Sequence, residues 1–120
     1  MNKIVEMKTS KMGMAGSGAR TILTPKTSIT YETREKLETT FKECLEQRKT
    51  EVILDCKAVS FLDSEGLELI VQMHEELKER GGVLKIIGVN PVCRDILMAT
   101  RLIGSLHVHE DIHAALRGGS

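Results

Sequence analysis

The chain has 120 residues, 41% of them hydrophobic and 28% charged, an ordinary composition for one soluble domain with a single core. Its 17 lysines and arginines balance its 17 aspartates and glutamates, so no overall field draws it toward nucleic acid or an anionic membrane. One tyrosine, two phenylalanines and no tryptophan argue against base-stacking RNA modules and leave the core to Leu, Ile, Val and Met.

Asn2 to Thr9 alternates weakly and Lys11 to Gly18 is small and Gly-rich, which predicts an edge strand and a loose connection opening a β-hairpin. Ala19 to Leu23 is its second strand, ended by Pro25, and Thr27 to Thr30 is a loop. From Tyr31 to about Gln47, Leu37, Phe41, Cys44 and Leu45 share one helical face while Glu32, Arg34, Glu35, Lys42 and Glu46 cover the rest. A third strand follows from Glu51 to about Cys56. Leu67, Ile70, Val71, His74 and Leu77 then recur at helical spacing in a helix from Ser64 to Arg80, stopped by Gly81-Gly82.

Val83 to Val89 is the most continuous strand. Asn90-Pro91 starts a third helix, to about Arg101, with the proline in the first turn where a missing N–H costs nothing. Ser105 to His109 alternates as a last strand, and Asp111 caps a terminal helix carrying Ile112, Ala115 and Leu116. The order ββαβαβαβα predicts a single α/β domain with a mixed, mostly parallel sheet and about four helices on one face or both. It spans residues 1–117, with its core at about 19–116, and residues 118–120 form a flexible, Gly-rich tail.

Ser64 stands where strand chemistry hands over to helix chemistry. The first N–H groups of a helix lack intrahelical partners and carry the positive end of its dipole, so an anionic group is favoured there. A serine at such a place caps, catalyses or accepts a phosphate. Asp63 before it either caps the helix or orients the serine hydroxyl. Gly66 admits a partner closely or answers a packing demand.

Other constellations carry less. Cys44, Cys56 and Cys93 are odd in number with no Cys-x-x-Cys, neither a disulfide framework nor a zinc signature, and fit a reducing cytoplasm. No apolar run approaches the ~18 residues of a membrane-spanning helix. His107, His109 and His113 read as a polar exposed edge rather than a metal site, and His74 as a satisfied, semi-buried residue. No Gly-x-Ser-x-Gly elbow and no Gly-rich phosphate loop are present, so neither an enzyme nor a cofactor is expected.

Phe61-Leu62-Asp63-Ser64-Glu65-Gly66-Leu67, after a strand and a turn, resembles the signature of STAS domains, the anti-sigma factor antagonist family. Gly81 to Gly88 resembles that family's next strand, and Asn90 to Gly104 its third-helix segment. The resemblance implies a bacterial, cytoplasmic phosphoprotein that regulates transcription indirectly. It docks on an anti-sigma factor with serine kinase activity when Ser64 is unmodified, is released when Ser64 is phosphorylated, and is reset by a serine phosphatase. It implies a docking surface of Thr27, Ser28, Ile29, Thr30, Leu62, Asp63, Ser64, Glu65, Glu68 and Gln72, and allows self-association. The chain departs from the family pattern in two places. Thr30 stands where an acidic residue is usual, and Glu65 stands where Ser or Thr is common among phosphorylated members. The alternative is a constitutive STAS docking subunit of a transporter or signalling scaffold, without phosphoswitching.

Overall fold

A computed structural model describes residues 9–11 and 19–117. The elements are β1 (Thr9–Lys11), β2 (Arg20–Leu23), α1 (Arg34–Glu46), β3 (Glu51–Asp55), α2 (Ser64–Glu79), β4 (Val83–Ile87), α3 (Pro91–Ala99), β5 (His107–His109) and α4 (Ile112–Arg117). Their order is the ββαβαβαβα read from the sequence. The strands lie in the sheet in chain order. β1 runs antiparallel to β2, with Thr9 opposite Leu23, and every other pair is parallel. The expected first strand over Asn2–Thr9 lies mostly outside the described residues, as do the connection over 12–18 and the tail over 118–120.

Alternation along the strands divides two layers. Leu23, Val52, Leu54, Leu84 and Ile86 pack with Leu37 and Phe41 of α1, Leu69, Ile70, Met73 and Leu77 of α2, and Leu97 of α3. Ile53 and Ile87 face the other way, onto Ala115 of α4. Three crossover helices on one face follow from parallel connections of one hand between successive strands. With both faces of β3 covered, its centre reads as the unbroken apolar run Val52-Ile53-Leu54.

The second face has a polar interior. Lys85, only 2% exposed, donates to the Ala115 carbonyl at 2.8 Å and lies 3.0 Å from the Glu51 carboxylate. Glu51 also accepts from Arg20 Nε at 2.7 Å. Burial alone pushes Glu51 toward its neutral form, but the hydrogen bonds and charges of Arg20 and Lys85 prevail and hold its pKa below the usual range.

Several expectations need correction. The buried stripe of α2 is Gly66, Leu69, Ile70, Met73 and Leu77, while Leu67, Val71 and His74 lie at its margin. The helix is rotated because Gly66, not a large side chain, faces the β2–α1 loop. α1 begins at Arg34 rather than Tyr31, because the Thr30 carbonyl accepts from both Thr33 and Arg34 in a tight turn. β4 ends at Ile87, where Gly88 takes φ +73°. Leu116 is 37% exposed, since the short α4 buries Ala115 instead. The Gly81 cap is as expected, with φ +79° and the Gly82 N–H donating to the Leu77 carbonyl at 2.7 Å. Asn90 caps α3 by accepting from Cys93 N at 2.7 Å.

Candidate functional site

Two loops leave the same end of neighbouring parallel strands and run side by side. Ile29 pairs with Leu62 in an isolated parallel bridge; Ile29 N donates to the Phe61 carbonyl at 3.2 Å, and Asp63 N donates to the Ile29 carbonyl at 3.4 Å. The expected segments Thr27–Thr30 and Leu62–Glu65 are thereby brought together. The Ser28 and Ser60 hydroxyls add a 2.9 Å contact between the loops. Ile29 and Leu62 are buried in the core, 1% and 3% exposed, so they shape this surface from beneath rather than present groups to an outside contact. Thr27 is exposed, and Ser28 and Thr30 are half-buried. Thr30 N donates to Thr33 Oγ1 at 2.8 Å, and Thr33 Oγ1 donates to the Ser28 carbonyl at 2.8 Å, so a hydroxyl makes the ties within this loop.

Asp63 is the N-cap of α2. Its Oδ1 accepts from Gly66 N at 2.8 Å, and its Oδ2 accepts from Tyr31 N at 2.9 Å in the facing loop. Both carboxylate oxygens are thus engaged with backbone. Ser64, the next residue, opens the helix and is exposed, and its hydroxyl has no hydrogen-bond partner among the described residues. The capping that a helix-start serine usually supplies is done here by its neighbour.

Gly66 has an internal reason. A Cβ there would lie 2.1 Å from the Ile29 carbonyl oxygen, so absence of a side chain is what lets the two loops meet.

Around the serine the surface is mixed. Tyr31 is 68% exposed and Phe61 47%, both next to the backbone ties just described. Glu65, one of the two departures from the family pattern, is bound by Arg34, whose Nη1 donates to Glu65 Oε1 at 2.7 Å. The same guanidinium reaches Glu68 at 3.4 Å and Gln72 at 3.3 Å, and lies 3.8 Å from Glu38. The Glu65 hydrogen bond outweighs partial burial and, with the charges of Glu38, Glu65 and Glu68, holds Arg34 more firmly charged than usual. Glu68 and Gln72 are exposed along the next turns of α2.

Sequence reasoning placed Arg34 on the solvent side of α1 and did not single out Tyr31 or Phe61. The signal for Arg34 was the spacing of Glu65, Glu68 and Gln72, which puts three acceptors on one flank of α2.

The other candidates fall elsewhere. Burial pushes the thiols of Cys44, Cys56 and Cys93 up, Cys56 most strongly, with Cys93 and Asp55 adding to it, which disfavours a thiolate nucleophile. His107 and His109 are half-buried rather than an exposed edge, because α4 and α2 reach the β5 side of the sheet. His107 meets the His74 ring at 6.0 Å between centroids. Nδ1 of His74 and Nε2 of His109 are buried without hydrogen-bond partners among the described residues, so His74 is semi-buried but not satisfied there. Burial, then Lys85 and His107, lowers the pKa of His109. Among the described helices, none is long and apolar enough to cross a membrane.

A model of the STAS domain family matches residues 12–115. Among solved structures, an anti-sigma factor antagonist from Mycobacterium paratuberculosis superposes with a TM-score of 0.81 at 18% identity, over 95% of this chain and 92% of that one. The phosphorylated form of the Bacillus cell fate determinant SpoIIAA superposes with a TM-score of 0.69 at 16% identity, over 93% of this chain and 98% of that one. The murine solute carrier 26 family member A9 anion transporter matches 82% of this chain with 17% of its own length, with a TM-score of 0.68 at 17% identity. At such identities these likenesses establish the shared fold.

Proposed function

Because this chain belongs to the STAS domain family, we propose that it works as an anti-sigma factor antagonist, a protein-interaction switch set by phosphorylation of Ser64. The observation that carries the reading is the exposed Ser64 hydroxyl at the first residue of α2, without a hydrogen bond among the described residues, beside a capping aspartate whose two oxygens are both engaged. A kinase can reach that hydroxyl without breaking any side-chain hydrogen bond of the fold. The unmodified surface offers Thr27, Ser28, Thr30, Asp63, Ser64, Glu65, Glu68 and Gln72, flanked by Tyr31 and Phe61, to an anti-sigma factor with serine kinase activity.

A phosphoryl group there adds roughly −1.5 to −2 charges and three acceptor oxygens. Two unit charges ~4 Å apart at a surface-like dielectric interact by about 4 kcal/mol before screening. Each ~1.4 kcal/mol is tenfold in affinity, so the modification is large enough to end modest binding. The helix start tolerates the added charge on the protein's own side through its dipole. A serine phosphatase resets the switch, and this chain is the substrate of both enzymes rather than a catalyst.

The reading is tested by incubating the protein with ATP and each purified serine-kinase anti-sigma factor encoded in the same genome, then mapping phosphate by mass spectrometry. Phosphate confined to Ser64 is expected. Phosphate elsewhere, or none with a panel of active kinases, contradicts it.

A second reading rests on the likeness to a domain within an anion transporter. On this second reading the surface of this chain serves a constitutive assembly, and binding is indifferent to substitution at Ser64.

A further inference from the structure

Glu65 sits beside the proposed phosphate acceptor, and Glu68 lies one helical turn from Ser64, where side chains at i and i+4 are neighbours. A free carboxylate on Glu65 would supply half or more of the charge that a phosphoryl group brings. In the structure it is not free, because Arg34 holds it in a 2.7 Å charge-assisted hydrogen bond. Arg34 reaches Glu68 with the same nitrogen and Gln72 with the other, so one planar guanidinium gathers the polar flank of α2 toward α1.

Within α1 the cation has one acidic neighbour, Glu38 one turn on at 3.8 Å, a longer contact than the 2.7 Å bond to Glu65. Arg34 is the first residue of that helix, where a positive charge opposes the dipole. Its partners are largely on the other helix, and it is well covered, with 19% of its side chain exposed.

We propose that Arg34 masks the Glu65 carboxylate, so that the surface around unmodified Ser64 is not read by the partner as already phosphorylated. The inference rests on the phosphoswitch reading above. It makes Arg34 a positioning residue: it acts on the partner through Glu65, and the pair is what allows an acidic residue next to the acceptor.

The test measures binding of the anti-sigma kinase that engages wild type in the panel above, using wild type, Arg34→Gln, Glu65→Gln and the double variant, each checked for cooperative unfolding. Masking predicts that Arg34→Gln weakens binding about tenfold or more, and that the double variant binds several-fold more tightly than Arg34→Gln because the uncovered carboxylate is gone. Unchanged binding by Arg34→Gln overturns the proposal. So does equal weakening in Arg34→Gln, Glu65→Gln and the double variant, which would make the pair a mere tie between helices. If no kinase in the panel engages wild type, the phosphoswitch reading itself falls, a result distinct from either of these.

Discussion

The Asp63 carboxylate accepts a hydrogen bond from the Tyr31 backbone N–H at 2.9 Å, across 32 residues of sequence, while its other oxygen caps α2 through Gly66. One side chain therefore fixes both the start of the helix that carries Ser64 and the loop beside it. Asp63→Ala removes both acceptors and is expected to cost about 1–2 kcal/mol, the range of a lost N-cap, with more added if Tyr31 N finds no water. Asp63→Asn keeps one acceptor and should lose less. Urea unfolding of the two variants checks the order.

Gly66 tests the same junction from the other helix position. Its absent Cβ would stand 2.1 Å from a backbone oxygen that has no flexible group to move. Gly66→Ala should destabilise by about 1–3 kcal/mol through overpacking, although alanine is the better helix former. Gly104→Ala is the control, since a Cβ there meets nothing within 4 Å. Equal melting temperatures for the two variants would contradict the packing account.

Beneath the sheet, Glu51 has a folded-state pKa lowered by Arg20 and Lys85 against the opposing effect of burial. A carboxyl group depressed on folding stabilises the protein above its unfolded pKa, and that contribution is lost as pH falls through the folded value. The stability difference between wild type and Glu51→Gln should therefore be full at neutral pH and shrink below roughly pH 4.3, the ordinary glutamate value. Chemical denaturation at several pH values reads it directly.

Lys85→Met leaves the Ala115 carbonyl without its buried donor. Hydrogen exchange in α4 should accelerate more than in α2, because Lys85 fastens only the terminal helix to this face. Uniform acceleration across both helices would contradict a local role.

All three cysteines are buried and their thiols are pushed toward the neutral form. A thiol reagent at neutral pH should label none of them rapidly in the folded protein and all of them after unfolding.

Much of this was legible in the chain. Glycine pairs, Asn90-Pro91 and the Asp63-Ser64 step are local signals whose physics acts within a few residues, and the elements they bound are where they should be. What stayed hidden depends on pairs distant in sequence. Leu69 and Met73 were passed over in favour of Leu67, Val71 and His74 because the rotation of α2 is set by Gly66 against Ile29, a contact that no periodicity contains. Lys85, a charged residue in an apolar strand, was not singled out, and it is enclosed by α4 and finds its acceptors there and on β3. Arg34 looked like surface charge, and only the packing of α1 beside α2 turns it toward Glu65. The exposed aromatics were missed because exposure of an apolar side chain is a property of the finished surface.

The central claim is that Ser64 is the switch, and calorimetric binding to the anti-sigma kinase tests it most directly with wild type, Ser64→Ala and genetically encoded phosphoserine at position 64. The account predicts binding by wild type and Ser64→Ala and its loss with phosphoserine, by at least about tenfold. Equal affinity in all three would contradict it and make the constitutive docking module the better account.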